Sequence, residues 1–184
     1  MIQITDHFLD LGSFMLLKDL LLGYQKHENH SSLPWTLGRV LSDKFYSGDN
    51  EDKHVDYNFH FCHTFYKNNG NESHTSQNIN IIKPLIDKLV HIKNARSFRR
   101  IKVNLNIKSP SIIRHGFHVD FPDNKHMTTA VYYVNSNDGY TEFEDGTKVE
   151  SVENRLVTFP SYMMHSGTTC TNKFSRCTIN INYF

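Results

Sequence analysis

The stretch RIKVNLNI, residues 100–107, sets Val103, Leu105 and Ile107 on one side of an extended chain and Lys102, Asn104 and Asn106 on the other. Alternation with period two marks a strand with two unlike faces. The stretch RCTININ, residues 176–182, repeats it, with Cys177, Ile179 and Ile181 opposed to Arg176, Thr178, Asn180 and Asn182. Two placements satisfy such strands. The polar faces lie in water, as in most half-buried antiparallel sheets. Alternatively, the apolar faces lie under helices and the polar faces point into a barrel, where they must bind one another, water or a ligand. The pattern alone leaves both open.

Outward from these strands, the chain after Arg100 reads as short strands divided by turns: FHVDF, TTAVYYVN, GYTEFEDG, NRLVTFP and HSG. Evenly spaced short strands with turn signals predict a sandwich or small barrel. The first half differs. Ile2 to Thr5 reads as a short opening strand. Asp10 can cap a helix over 11–22, with Phe14, Leu17 and Leu21 on one face and Gly23 stopping it. A second helix is expected near 82–92, with Ile82, Leu85, Ile86 and Leu89 at helical spacing and Pro84 in the first turn. Residues 47–53 read as an exposed turn, 54–61 as a strand, and KNNGNESHTSQ, 67–77, as a loop able to serve as a lid.

The 184 residues suit one domain, and 38% hydrophobic with 21% charged residues is ordinary for a globular chain. A net charge of +1 carries no block of like charges. The densest basic run, Arg96-Ser97-Phe98-Arg99-Arg100, reads as a solvated strand edge, so strong nucleic-acid binding is not expected. Three cysteines, Cys62, Cys170 and Cys177, without CxxC spacing fit a reducing compartment. Asp6, His7 and Asp10 stand where a signal peptide needs a basic and then an apolar run. The apolar stretch behind them is broken by Lys18 and Asp19, too short for a membrane span. The expectation is cytoplasmic, or the host cytoplasm for a viral chain.

The tripeptide HVD occurs at 54–56 and again at 118–120. In a strand its imidazole and carboxylate share a side, two thirds of the 2-His-1-carboxylate face that binds non-haem iron(II). Twelve His and twelve Asp in 184 residues yield roughly 0.8 HxD triplets by chance, so the motif alone decides nothing. A third ligand decides between the copies. Beyond Asp120 lie two histidines: His126, in the loop FPDNKHM, reaches the same metal only through a tight fold, whereas His165, behind the apolar run 156–159 and Pro160, can return from a neighbouring strand. Arg176 follows on the polar face, with Thr178 two positions on. A guanidinium clamps a carboxylate in a planar, bidentate way, and a hydroxyl on the same face can add a bond.

The order of HxD, distal His, and Arg with a hydroxyl residue two positions on resembles the iron(II)/2-oxoglutarate-dependent dioxygenases. The likeness is nearest to their prolyl 4-hydroxylase-like branch, of viral and bacterial type. TTAVYYVN looks like that branch's strand after HxD, and NRLVTFP like its approach to the distal His. GYTEFEDG stands where the branch has a Gly-Gly-x-Thr-x-Phe-type turn, with Asp138-Gly139 replacing paired glycines. ITDHFL resembles the branch's opening segment. The copy at His54 has no such strand series, and His60 and His63 sit too close to it; it reads as a loop or strand edge.

The resemblance implies a mainly β, α+β fold: a double-stranded β-helix of jelly-roll, cupin-like form with N-terminal helices packed on one sheet. Residues 1–99 would be helical support with loop and lid, and 100–184 the catalytic core. It implies iron(II) on His118, Asp120 and His165, with no catalytic residue beyond these ligands. It implies 2-oxoglutarate held at its distal carboxylate by Arg176, Thr178 and the hydroxyl of Tyr133, and ascorbate as a reductant. Asn104 and Asn106 stand near where relatives place a cofactor-facing tyrosine, a departure from the pattern; His115 reads as a rim residue. The reaction would hydroxylate a C–H bond with O2, releasing succinate and CO2, on a protein or peptide side chain or else a small metabolite. Asp120 argues against the halogenating variant, which leaves that position vacant. Nucleic-acid dealkylases carry a second Arg where this chain has Asn182. The rival reading is a non-catalytic metal- or ligand-binding jelly-roll barrel.

Overall fold

Asp10 opens the first helix as the sequence predicts. Its carboxylate accepts from Ser13 N at 2.9 Å, satisfying one orphan donor of the first turn, and Gly23 closes the helix in the left-handed region at φ 71°. This helix, α1 (Leu11–Leu22), buries Phe14, Leu17 and Leu21. The second, α2 (Lys83–Lys93), carries Pro84 in its first turn, where a missing N–H costs nothing, and buries Leu85 and Leu89. The structure, a computed structural model, describes residues 1–23, 33–39 and 59–184. The first HVD and the expected turn at 47–53 fall outside the described residues. None of the helices described is long and apolar enough to cross a membrane.

Eleven strands are described: β1 (Gln3–Thr5), β2 (Thr36–Arg39), β3 (Phe59–Asn68), β4 (Ser73–Thr75), β5 (Phe98–Ile107), β6 (Thr128–Tyr133), β7 (Tyr140–Phe143), β8 (Lys148–Glu150), β9 (Arg155–Pro160), β10 (His165–Gly167) and β11 (Ser175–Tyr183). A large antiparallel sheet runs β1-β9-β6-β11-β5-β3-β2, with β4 paired to β3; a small sheet runs β10-β7-β8. The fold is thus mainly β with two helices, and no closed barrel joins the sheets among the described residues. The first hundred residues give more than helical support, since β1 to β4 extend the large sheet.

Register settles the two faces left open by the sequence. Val103 pairs with Ile179 and Ile101 with Ile181, and this apolar side packs with Phe14, Leu17, Leu85 and Leu89 of the helices. On the other side Arg100 pairs with Asn182, Lys102 with Asn180, Asn104 with Thr178, and Asn106 with Arg176. That polar side looks toward the small sheet, not into water: Tyr133 donates to Thr141 of β7 at 2.7 Å, and Val131 and Val157 pack with Phe143 and Val149. The polar run at 67–77 folds as a hairpin. Asn69 N donates to Glu72 O, and Gly70, at φ 92°, supplies the turn.

One buried asparagine ties the N-terminal segment to the sheet. Asn154, left-handed at φ 59°, accepts from Leu9 N at 2.8 Å and Tyr132 Oη at 2.9 Å, and donates to Leu9 O at 2.9 Å. Asn154→Ala strands three buried partners, so we expect a loss of about 3 kcal/mol in urea unfolding.

Candidate active site

His118 and His165 are brought together by backbone pairing. Each accepts the other's N–H at 2.9 Å, an isolated antiparallel bridge that sets the ring centroids 4.5 Å apart. Asp120 follows two residues on, and the ligand atoms of His118, Asp120 and His165 all lie within 4.8 Å of one another. His165 Nδ1 donates to Met163 O at 2.9 Å, which turns Nε2 inward as the lone pair. Among the described residues Nε2 is buried and has no partner, which suits a metal ligand. Among the described residues this trio is the group whose spacing suits an ion. Two imidazoles and one carboxylate on one side suit iron(II) with positions left open.

Both oxygens of the Asp120 carboxylate are held. Arg100 Nη2 reaches Oδ1 at 2.7 Å, while Thr129 Oγ1 and Asn182 Nδ2 reach Oδ2 at 3.0 and 2.9 Å. Asn182 is held in turn, accepting from Arg100 Nε at 3.1 Å. Oδ2 has both acceptor directions filled and Oδ1 keeps one. Burial works to raise the Asp120 pKa, but Arg100, the two histidines and Asn182 more than offset it, so the group stays ionised well below the usual carboxylate range. Arg100 therefore departs from the sequence expectation of a solvated strand edge: its position on the polar side of β5 turns it to Asp120.

Arg176, 3% exposed, crosses the same interior from β11. Its Nε donates to Ser151 Oγ at 2.9 Å and Nη2 to Thr141 Oγ1 at 3.2 Å, and its guanidinium lies 5.6 Å from the Tyr133 ring centroid. Both of these bonds go to neutral hydroxyls, the Tyr133 hydroxyl lies alongside as a further hydrogen-bond partner, and no carboxylate faces the guanidinium among the described residues. A Cβ at Gly139 would stand 2.5 Å from Thr169 O and 2.6 Å from Arg176 Cδ. Only glycine leaves the guanidinium its path. Thr178 is buried on the same face, beside Tyr133. The Tyr133 hydroxyl is engaged with Thr141.

His115 is 5% exposed and lies inside, not at the rim. Its Nε2 is 3.5 Å from Asn106 Nδ2 and its Nδ1 has no partner. His126 sits exposed in the turn after Asp120 and is not among the grouped ligands. Sequence reasoning passed over Thr141, Ser151, Thr129 and Arg100. Thr141 stood in the quoted GYTEFEDG turn, and Arg100 in the polar alternation of β5. Nothing local marked Ser151 or Thr129.

Burial pushes His60 down to about 4, with Lys102 adding to it; His115 to about 3, with Arg176 adding; and His118 to about 4, with His165 adding. All three stay neutral when folded but charge near pH 6.5 when unfolded. The unfolded chain then binds more protons, so stability falls as pH drops from about 6.5 toward 4. A single shift of that size is worth about 3 kcal/mol. Melts of the metal-free protein should show a midpoint falling through this window. A flat midpoint would contradict these buried neutral rings.

The sequence matches no family model and no curated protein. Among solved structures, the fold is similar to an oxidoreductase of the 2OG-Fe(II) oxygenase family from Burkholderia pseudomallei, with TM-score 0.66, 13% identity, and 99% of this chain and 84% of that one covered. It is also similar to a prolyl hydroxylase from Trichoplax adhaerens, solved in complex with a hypoxia inducible factor oxygen degradation domain peptide, with TM-score 0.65, 16% identity, and 100% and 83% covered. A viral collagen prolyl hydroxylase from Paramecium Bursaria Chlorella virus-1, solved as a 2OG complex, matches with TM-score 0.53, 14% identity, and 100% and 96% covered. The fold is that of the 2OG-Fe(II) oxygenases. Within that fold, the metal trio and the buried guanidinium are this chain's own side chains and stand on their own geometry.

Proposed function

We propose that the chain is an iron(II)- and 2-oxoglutarate-dependent oxygenase that hydroxylates a C–H bond of a protein or peptide side chain. In this reading the two facing sheets are a double-stranded β-helix, with residues 100–184 as its catalytic core. The observation that carries the reading is the pairing of two unmet demands in one interior. Among the described residues, His165 Nε2 is a buried lone pair without a donor, and Arg176 is a buried cation without an anion.

His118, Asp120 and His165 would hold the metal. Arg176 would hold the distal carboxylate of the keto acid, with Thr178 beside it and Tyr133 lining the pocket. With both bound, the site supplies oxidative decarboxylation of the keto acid by O2, giving succinate, carbon dioxide and a hydroxylated substrate. The chain's own work is to fix positions. Met163 O sets the tautomer of His165, Arg100 and Asn182 keep Asp120 ionised, and Ser151 and Thr141 aim the guanidinium. Phe159 and Phe143 shield His165 from water, with ring centroids 4.7 and 6.4 Å away. A peptide substrate is supported by the peptide complex of the similar prolyl hydroxylase.

The test is anaerobic absorbance of the protein with iron(II), before and after 2-oxoglutarate. Chelation of iron by the keto acid should give a weak visible charge-transfer band, and succinate should then form with oxygen and a peptide substrate. Iron binding without a band would leave a non-catalytic metal-binding barrel.

A further inference from the structure

Lys102 is an inward-facing cation that the reading above does not use. It lies on the polar side of β5, between Asn180 of β11 and Thr64 of β3. It is largely buried, and among the described residues it makes no hydrogen bond or ion pair. Among the described residues the carboxylate that acts on it is Asp120, which is already taken by Arg100, Thr129 and Asn182. Two residues along the same face, Asn104 Oδ1 is buried and has no donor. The inward positions of β3 opposite are Cys62, across from Asn104, and His60 beyond it, and neither is a carboxylate. A buried ammonium without a counter-charge is costly, and a buried acceptor without a donor adds to that cost. Burial holds the Lys102 pKa down and the neighbouring Arg100 charge lowers it further, while Cys62 and Asp120 act the other way without offsetting them.

The keto acid does not meet this demand. Its distal carboxylate goes to Arg176 and its other carboxylate to the metal in the reading above. Arg176 stands opposite Asn106, four residues from Lys102, or about 13 Å along the strand. Charge leads the same way. A divalent metal and a dianionic keto acid cancel each other, and Asp120 answers Arg100. The charges of Arg176 and Lys102 remain in excess, and of the two only Arg176 has a carboxylate of the keto acid against it in this reading.

We propose that Lys102, with Asn104, forms a substrate subsite for a carboxylate that carries an adjacent N–H donor. This deepens the oxygenase reading and rests on it for the position of the reacting C–H bond. Such a group occurs in a free N-acyl amino acid and in an acidic residue of a peptide. Lys102 would take the carboxylate and Asn104 Oδ1 the N–H. The chemistry differs from that of a neutral prolyl ring, so the subsite would separate this chain's substrate from those named for its structural neighbours.

The experiment is calorimetric titration of the full chain, metal-free and again loaded with manganese(II) and 2-oxoglutarate. Two matched probe pairs are used: N-acetyl-alanine against N-acetyl-alaninamide, and acetyl-Ala-Asp-Ala-amide against acetyl-Ala-Asn-Ala-amide. We expect the acid of at least one pair to bind tenfold or more tightly than its amide, and that preference to vanish in Lys102→Met and persist in Lys102→Arg. Preference in the small pair alone points to a free acid, and in the peptide pair alone to a peptide side chain. Lys102→Met removes an unpaired buried charge and should melt no lower than the parent. In the same variant the iron–keto acid band should keep its half-saturation. No acid preference in either pair, or one that survives Lys102→Met, overturns the proposal; a tenfold weaker keto acid in Lys102→Met overturns it too, by assigning Lys102 to the cofactor. Absence of the band in the parent sinks the oxygenase reading alone, since the metal-free titration still reports on the subsite.

Discussion

Asp120→Ala should lower iron(II) affinity by at least a hundredfold and abolish the visible band with 2-oxoglutarate. The carboxylate is the only anionic ligand of the trio, and the two remaining imidazoles offer a divalent ion no charge. Loss of a group that merely supports a ligand already costs 10–100-fold in known metal sites, and here the ligand itself goes. A second loss accompanies it. Arg100 Nη2, Asn182 Nδ2 and Thr129 Oγ1 all converge on this carboxylate; alanine strands the Arg100 charge, while Thr129 keeps Ser161 and Asn182 keeps Thr129. Breaking a buried pair by removing one partner typically costs about 3–5 kcal/mol. The metal-free variant should therefore also melt below the metal-free parent. Equilibrium dialysis of iron(II), with melts of both apoproteins, checks the two expectations separately. Unchanged metal affinity would remove Asp120 from the site. Unchanged stability would mean that water replaces the carboxylate for Arg100.

That double duty explains what was legible beforehand. The helix over 11–22 could be read nearly to the residue because its signals are local: Asp10 on Ser13 N, Gly23 in the left-handed region, and apolar residues at helical spacing. The grouping of His118, Asp120 and His165 was legible for a different reason. HxD carries its own geometry, and His165 was the later histidine able to return from a neighbouring strand. The supporting residues were not legible, because each acts through register between strands distant in sequence. Arg100 looks like surface charge until β5 and β11 are paired, which sets it beside Asn182 and over Asp120. Ser151 follows a short strand of the small sheet and meets Arg176 across the interior, a contact between sheets that no spacing encodes. His115 failed similarly. A histidine in a loop reads as rim, yet its backbone pairs with Gly167 and carries the ring inside. Side-chain alternation limited the faces of the strands to two choices, and only packing against the helices chose between them.

Arg176→Met should weaken 2-oxoglutarate by at least a hundredfold while leaving iron(II) affinity within a few-fold. The guanidinium has free N–H groups in a fork, and charge-assisted bonds to a carboxylate are worth about 1.5–3 kcal/mol each. Two such bonds amount to roughly 3–4 kcal/mol after the anion's own desolvation, or a factor of several hundred. The residue's surroundings separate this role from a structural one. Arg176 pairs with no carboxylate among the described residues, and its two bonds go to hydroxyls. Thr141 retains the Tyr133 hydroxyl as donor when the guanidinium is removed. Methionine spares the desolvation of a buried cation, so the apoprotein should be no less stable than the parent, unlike Asp120→Ala. Arg176→Lys supplies the distinguishing intermediate. It keeps a charge but loses the planar fork and the reach to Ser151, and should fall between parent and Met, about tenfold weaker than the parent. The half-saturation of the visible band measures all three. If Met and Lys lower stability in step with affinity, Arg176 is holding the sheets together; if only the keto acid is lost, the buried guanidinium stands where it does for its ligand.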